Sequence, residues 1–162
     1  VTRLLVISDS HGKVDRIYDL VRKHIGEFDV LFHLGDKAYD MLPFLEDGYS
    51  VVLIKGNMET LASDVSLPVD WEHLAEYDGV KLLATHGHRY SVHSTLVFLK
   101  KHALHLGVSL VLFGHTHEQA CFKEDGITYF NPGALQDGYY GIVHLDKSAI
   151  TKTELLFLPD RW

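Results

Sequence analysis

Hydrophobic residues fall into short unbroken runs in the first third of this chain and into looser, hairpin-like runs after it. "RLLVISD", "VLFHLGD" and "YSVVLIKGN" have the continuous apolar character of strands buried on both faces. Between the first two lies "KVDRIYDLVRKHIG", whose Val14, Ile17, Tyr18, Val21 and Ile25 form one helical stripe, with Gly26 placed to end it. A short helix is predicted near residues 40–46. The order strand, helix, strand, helix, strand implies a parallel sheet with right-handed crossovers.

The remainder reads differently. "WEHLAEYDGVKLLATHG" predicts two strands joined by an Asp78–Gly79 turn, and "QACFKEDGITYFNPG" a second hairpin about Asp125–Gly126. A helix is expected over residues 92–106. Ser91 would be its N-cap, Leu96, Leu99, Ala103 and Leu106 its stripe, and Gly107 its end. "SLVLFGHTH", "YYGIVHLD" and "ITKTELLFL" supply further strands. Together these elements predict a mixed two-sheet α/β protein, a β-sandwich flanked by helices.

Composition narrows the function only a little. At 162 residues the chain suits one domain, taken as 1–162. No apolar stretch approaches the roughly 20 residues needed to span a bilayer. The opening "VTRLLVISDS" makes a poor signal peptide, and Cys121, the only cysteine, allows no intrachain disulfide, so a cytoplasmic location is expected. A net charge of −7 argues against nucleic acid as the partner. The 12 histidines are the unusual figure, and their positions matter more than their number.

Each apolar strand ends in the same kind of chemistry. "VISDSH" places Asp9 and His11 at the first exit, "HLGD" places Asp36 at the second, and "IKGN" places Asn57 at the third. "LLATHGH" brings His86 and His88, and "FGHTH" brings His115 and His117. The carboxyl ends of parallel strands form the ligand crevice of open α/β sheets. Carboxylate, amide and imidazole donors without sulfur suit first-row divalent ions. Leaving His88 aside, there are too many donors for one structural zinc and about enough for two ions sharing a carboxylate.

In order and spacing, "DSH", "GD", "GNME", "THG" and "GHTH" resemble the calcineurin-like metallophosphoesterase family, over residues 9 to 117. Chain length and the "THGH", "GHTH" and "NPGA" segments are similar to its small single-domain, YfcE-like phosphodiesterase branch. The resemblance implies a four-layer αββα sandwich of two mixed sheets flanked by helices. It also implies a dinuclear site: Asp9, His11 and His117 on one metal, Asn57, His86 and His115 on the other, and Asp36 bridging. The implied cofactors are two divalent ions, Mn²⁺ first and Ni²⁺, Fe²⁺ or Zn²⁺ as alternatives. The implied reaction is hydrolysis of a small phosphate ester, most simply a phosphodiester, by a metal-activated hydroxide. The catalytic group is then Asp36, Asn57, His86, His88 and His115, although His88 matches no ligand slot of the family. A homo-oligomer, dimer or tetramer, stays open.

Two positions depart from the family pattern. Met58 stands where larger relatives carry a histidine, and "NPGALQDGYYG" lacks the Pro-Arg of similar segments. Glu59 is open between orienting a neighbour and simple solvation. His33 is read as a hydrogen-bonded core residue, His102 and His105 as a solvated helix face, and His24, His73, His93 and His144 as surface residues. The alternative function is that of the retromer scaffold subunit, which resembles this fold with a degenerate site and acts as a protein-interaction platform.

Overall fold

The computed structural model describes residues 1–57 and 69–159. In the first sheet β1 (Thr2–Ile7), β2 (Val30–His33), β3 (Val51–Ile54) and β4 (Val69–Asp70) run parallel. The second is built from β5 (Glu72–Tyr77), β6 (Val80–Thr85), β7 (Leu110–Leu112), β8 (Ala120–Glu124) and β9 (Ile127–Asn131). Here β6, β7 and β9 are parallel, and β5 and β8 are antiparallel edges. The last strands, β10 (Tyr139–Asp146) and β11 (Ala149–Phe157), return to the first sheet and extend it antiparallel beyond β1. Helices α1 (Val14–Lys23) and α2 (Leu42–Glu46) cover the first sheet, and α3 (Val97–Leu106) covers the second.

The two-residue period of the strands sorts side chains into three apolar layers. From β1, Leu4 and Val6 enter the layer between the sheets with Phe32, Leu82, Leu112 and Phe130. Leu5 and Ile7 point the other way, against Ile17, Leu20 and Val21 of α1. On the far side Leu83, Val111 and Tyr129 pack on Leu99 and Ala103 of α3. Each fully buried Leu, Ile or Phe contributes about 1.5–3 kcal/mol, so burial on both faces explains the unbroken apolar runs. Three side-chain layers separate four backbone layers, the αββα sandwich that the resemblance implied. No helix among the described residues is long and apolar enough to cross a membrane.

Three local expectations are corrected. The first helix ends at Lys23, so Ile25 lies beyond it and is exposed, while Leu20 joins the buried face. The chain turns there because His24 is buried, 2.7 Å from the Tyr140 hydroxyl and 3.0 Å from Glu27; His24 is therefore not a surface residue. The third helix begins at Val97, five residues later than expected for residues 92–106, and Ser91 does not cap it. Ser91 has φ 56 and closes the 3-10 turn His88–Tyr90, and its carbonyl accepts from the N–H groups of Ser94 and Thr95.

Candidate metal centre

All the parallel strands that end in a chemical motif deliver it to the same end of the sandwich. Asp9 and His11 follow β1, Asp36 follows β2, Asn57 follows β3, His86 follows β6, and His115 and His117 follow β7. The ligand atoms of Asp9, His11 and His117 lie within 4.8 Å of one another, and so do those of Asp36, His86 and His115. The groups touch. The Asp36 Oδ2 is 3.4 Å from His86 Nε2 and 3.9 Å from His11 Nε2, and the Asp9 Oδ1 is 3.9 Å from His86 Nε2. All seven sequence-predicted donors therefore meet. His88 lies beside them, its ring centroid 5.4 Å from that of His86 and 6.1 Å from that of His115. Met58 and Glu59 lie outside the described residues.

The backbone is bent to bring them there. Asp9, His11, Asp36, His115 and His117 all have φ between 46 and 71, a conformation that costs roughly 1–2 kcal/mol for an L residue. Such strain persists only where the surroundings over-determine it, and it clusters at functional sites. Two glycines show how close the exits come. A Cβ on Gly56 would fall on the Asp36 carboxylate, and one on Gly114 would fall on the Ser8 hydroxyl.

Outer hydrogen bonds aim the donors. The Ser8 hydroxyl donates to Asp9 Oδ2 at 2.5 Å and the His115 N–H to the same oxygen at 3.3 Å, which leaves Oδ1 turned inward. His86 Nδ1 donates to the Leu34 carbonyl at 2.9 Å, so its Nε2 lone pair faces Asp36 and Asn57. This is the outer-partner arrangement that fixes tautomers at metal sites. Behind β1 and β2 the Gly35 N–H donates to His33 Nδ1 at 3.1 Å. His33 Nε2–H then donates to Ser10 Oγ at 2.8 Å, and the Ser10 hydroxyl donates to Asp40 at 2.8 Å. His33 is thus the buried, hydrogen-bonded residue expected from its place in the strand, and burial holds its pKa down to about 3. Asn131, at the end of β9, donates to the Gly114 carbonyl and the Thr116 hydroxyl and holds the "GHTH" turn.

Three observations fit a cation. Asp9 Oδ1 and His11 Nε2 are buried with no hydrogen-bond partner among the described residues. The inner atom of the Asn57 amide lies 3.1 Å from His86 Nε2 and 3.1 and 3.2 Å from the Asp36 oxygens. As nitrogen it donates to them; as oxygen it faces both Asp36 oxygens, a repulsion that a cation among them relieves. Burial pushes the Asp9 carboxyl above the usual carboxylate range, against the pull of His86. A divalent ion reverses that balance by favouring the charged form. His86 itself is pulled down by burial, but the Asp36 hydrogen bond and the charges of Asp9 and Asp36 outweigh this and raise it. His115 is lowered to about 4, first by burial and then by His86 and His93, and stays neutral as a ligand must.

Residues that sequence reasoning missed surround this cluster. His93 is exposed, as expected, and its ring stands 4.2 Å from that of His115. His144 and His73 are half-buried, the first 3.0 Å from Glu154 and the second against Phe32. His105 is exposed as expected, while His102 is half-buried, 3.1 Å from Glu72. The "NPG" following a strand was a usable signal for Asn131; Ser10, Asp40 and His93 carried none.

A parallel-stranded αββα sandwich with N/O donors at its strand exits defines a class of metal-binding hydrolase folds. Residues 3–148 match the calcineurin-like phosphoesterase superfamily domain, and the chain belongs to that family. It is 30% identical over 154 residues to the probable metallophosphoesterase YsnB of Bacillus subtilis, covering 91% of this chain and 87% of that one. Among solved structures, a predicted phosphoesterase of Streptococcus pneumoniae superposes with TM-score 0.79 at 26% identity, covering 96% of this chain and 89% of that chain. An archaeal phosphodiesterase gives TM-score 0.75 at 21% identity, with 97% and 100% covered. Zinc-complexed Vps29 of Entamoeba histolytica gives 0.73 at 18%, with 97% and 98% covered. The last two likenesses concern the fold alone.

Proposed function

We propose that this chain is a dinuclear, metal-dependent phosphodiesterase acting on a small phosphate ester, a single phosphoesterase domain that uses Mn²⁺ before Ni²⁺, Fe²⁺ or Zn²⁺. The observation that carries the reading is the meeting of two three-donor groups across Asp9 and Asp36. Asp9, His11 and His117 would hold one ion, Asn57, His86 and His115 would hold the other, and Asp36 would be shared by both. When bound, the ions activate water at neutral pH and draw charge from the phosphoryl oxygens.

The chain's own residues supply the rest. Two carboxylates against two divalent ions leave the pocket positive, so an anionic ester enters an otherwise acidic protein. The outer bonds to Leu34, Ser8 and His115 hold imidazole and carboxylate in place before substrate arrives, so little reorganisation accompanies reaction. His88 stands on the substrate side, where its ring faces His86 and His115.

Hydrolysis of bis(p-nitrophenyl) phosphate by the purified protein should vanish on chelation and return with Mn²⁺. Full activity in a metal-free preparation would sink the reading. Stoichiometric metal binding without hydrolysis of any diester or monoester would instead favour an interaction platform of the Vps29 kind.

A further inference from the structure

Two cations from two strand exits meet on one aromatic ring, itself at a third exit, beside the donor cluster. Trp71 is the single residue between β4 and β5, where the chain crosses from one sheet to the other. The Lys55 Nζ lies 4.9 Å from the centroid of its ring, and the Arg89 guanidinium carbon also lies 4.9 Å from it. The backbone that carries the ring is tied: Lys55 N–H donates to the Asp70 carbonyl at 2.8 Å, and the Thr85 hydroxyl donates to the Trp71 carbonyl at 3.4 Å. The Trp71 ring is 5.3 Å from that of His88, which in turn adjoins His86 and His115. The Trp71 and His88 rings therefore link the two cations to the candidate ligands.

The described residues leave both charges without an acidic partner: no carboxylate among them forms an ion pair with Lys55 or Arg89. Sharing one ring keeps the cations within about 10 Å of each other, near the Debye length of physiological salt. Each cation–π contact returns only about 0.5–1 kcal/mol at such exposed positions, so oxygen ligands can compete for both. Among the described residues the buried His88 Nδ1 has no hydrogen-bond partner, and an unpaired group of this kind costs about 1–3 kcal/mol.

We propose that Lys55, Trp71, Arg89 and His88 form an anion subsite, and that the natural substrate carries a phosphate monoester on the arm remote from the metals. A phosphate offers three oxygens and nearly two charges to an ammonium, a guanidinium and an imidazole, whereas a carboxylate offers two oxygens and one charge. The proposal rests on the phosphodiesterase reading, in which the scissile phosphoryl group sits at the donor cluster.

The test compares p-nitrophenyl 2-phosphoethyl phosphate with p-nitrophenyl ethyl phosphate on the Mn²⁺-loaded protein. In both, water adds to phosphorus and nitrophenolate leaves with the electron pair of the broken P–O bond, so only the remote arm differs. The phosphate-bearing ester should have kcat/KM at least about tenfold higher, and Arg89→Ala and Lys55→Ala should each shrink that ratio several-fold. A ratio near one in the parent, or a ratio unmoved by both variants, overturns the subsite. If neither ester is hydrolysed, the phosphodiesterase reading fails instead. The subsite is then judged by quenching of Trp71 fluorescence with inorganic phosphate in a Trp162→Phe background. Saturable quenching weakened by Arg89→Ala supports it, and no saturable quenching overturns it.

Discussion

At the N-terminal ends of the parallel strands, Asp78, Asp125, Lys147 and Ser148 have positive φ. They sit in tight turns joining β5 to β6, β8 to β9 and β10 to β11. At the C-terminal ends Asp9, His11, Asp36, His115 and His117 adopt the same left-handed conformation, and none of them links a hairpin. In the first group the conformation matches the twist of the strands it connects. In the second it turns donors toward one point, and the strain is offset by burial and by bonds such as Ser8 to Asp9. The hairpin end also holds a cavity of about 640 Å³, lined by Ser109, Gly126, Thr128 and Ser148 among others. Neither candidate donor group lies there. Convergent donors, not volume, mark the functional end.

Breaking the donor end should have the largest effect. Asp36→Asn should reduce metal occupancy at both positions by elemental analysis and lower diesterase activity by more than about a hundredfold, the loss that even an outer partner of a ligand can bring. Asn57→Ala should deplete mainly one position. Equal single-ion losses in the two variants would contradict the shared carboxylate.

Glycine substitutions compare the two ends directly. Gly114→Ala puts a Cβ on Ser8 beside Asp9, an overpacking that costs about 1–3 kcal/mol, and it should lower both the melting temperature and metal affinity. Gly126→Ala meets no atom within 4 Å but sits at φ +78. It should cost only about 1–2 kcal/mol of stability, with metal affinity unchanged.

A pH titration tests the buried support of the donor end. His33 is neutral in the fold, its pKa lowered by burial to about 3 from an ordinary 6.5. Below pH 6.5 the unfolded chain binds a proton at this ring that the folded chain does not. Its contribution is therefore full above pH 6.5 and is lost as the pH falls towards 3. The slope is at most one proton, about 1.4 kcal/mol per pH unit. Urea midpoints of wild type and His33→Gln over this range should diverge; parallel curves would show that the ring titrates normally in the fold.

The smallest effect belongs to the hairpin end. Asp125→Asn keeps a residue tolerant of positive φ at an exposed turn, so stability should move by less than about 0.5 kcal/mol. Diesterase activity should not change. A large loss of activity there would dissolve the contrast between the two ends.

What could be read before the structure divides along a physical line. The apolar runs, the Asp-Gly turns and the donor at each strand exit were legible, because strand burial and turn conformation depend on residues adjacent in sequence. The metal chemistry was legible for the same reason: residue types at strand ends state which donors are available once parallel strands are granted. Where helices begin and stop was less so. Ile25 and Ser91 fit their local patterns, but the bond from His24 to Tyr140, 116 residues away, and the left-handed turn at Ser91 decide the ends. Of the surroundings of the donors only His33 and Asn131 left a trace in the sequence. That Asp40 completes the Ser10–His33 chain and that His93 meets His115 depend on which strands are neighbours within a sheet, and that Lys55 and Arg89 share the Trp71 ring depends on how the two sheets face. Local sequence determines which groups each exit offers, and only the strand order within each sheet and the packing of one sheet on the other determine which of them meet.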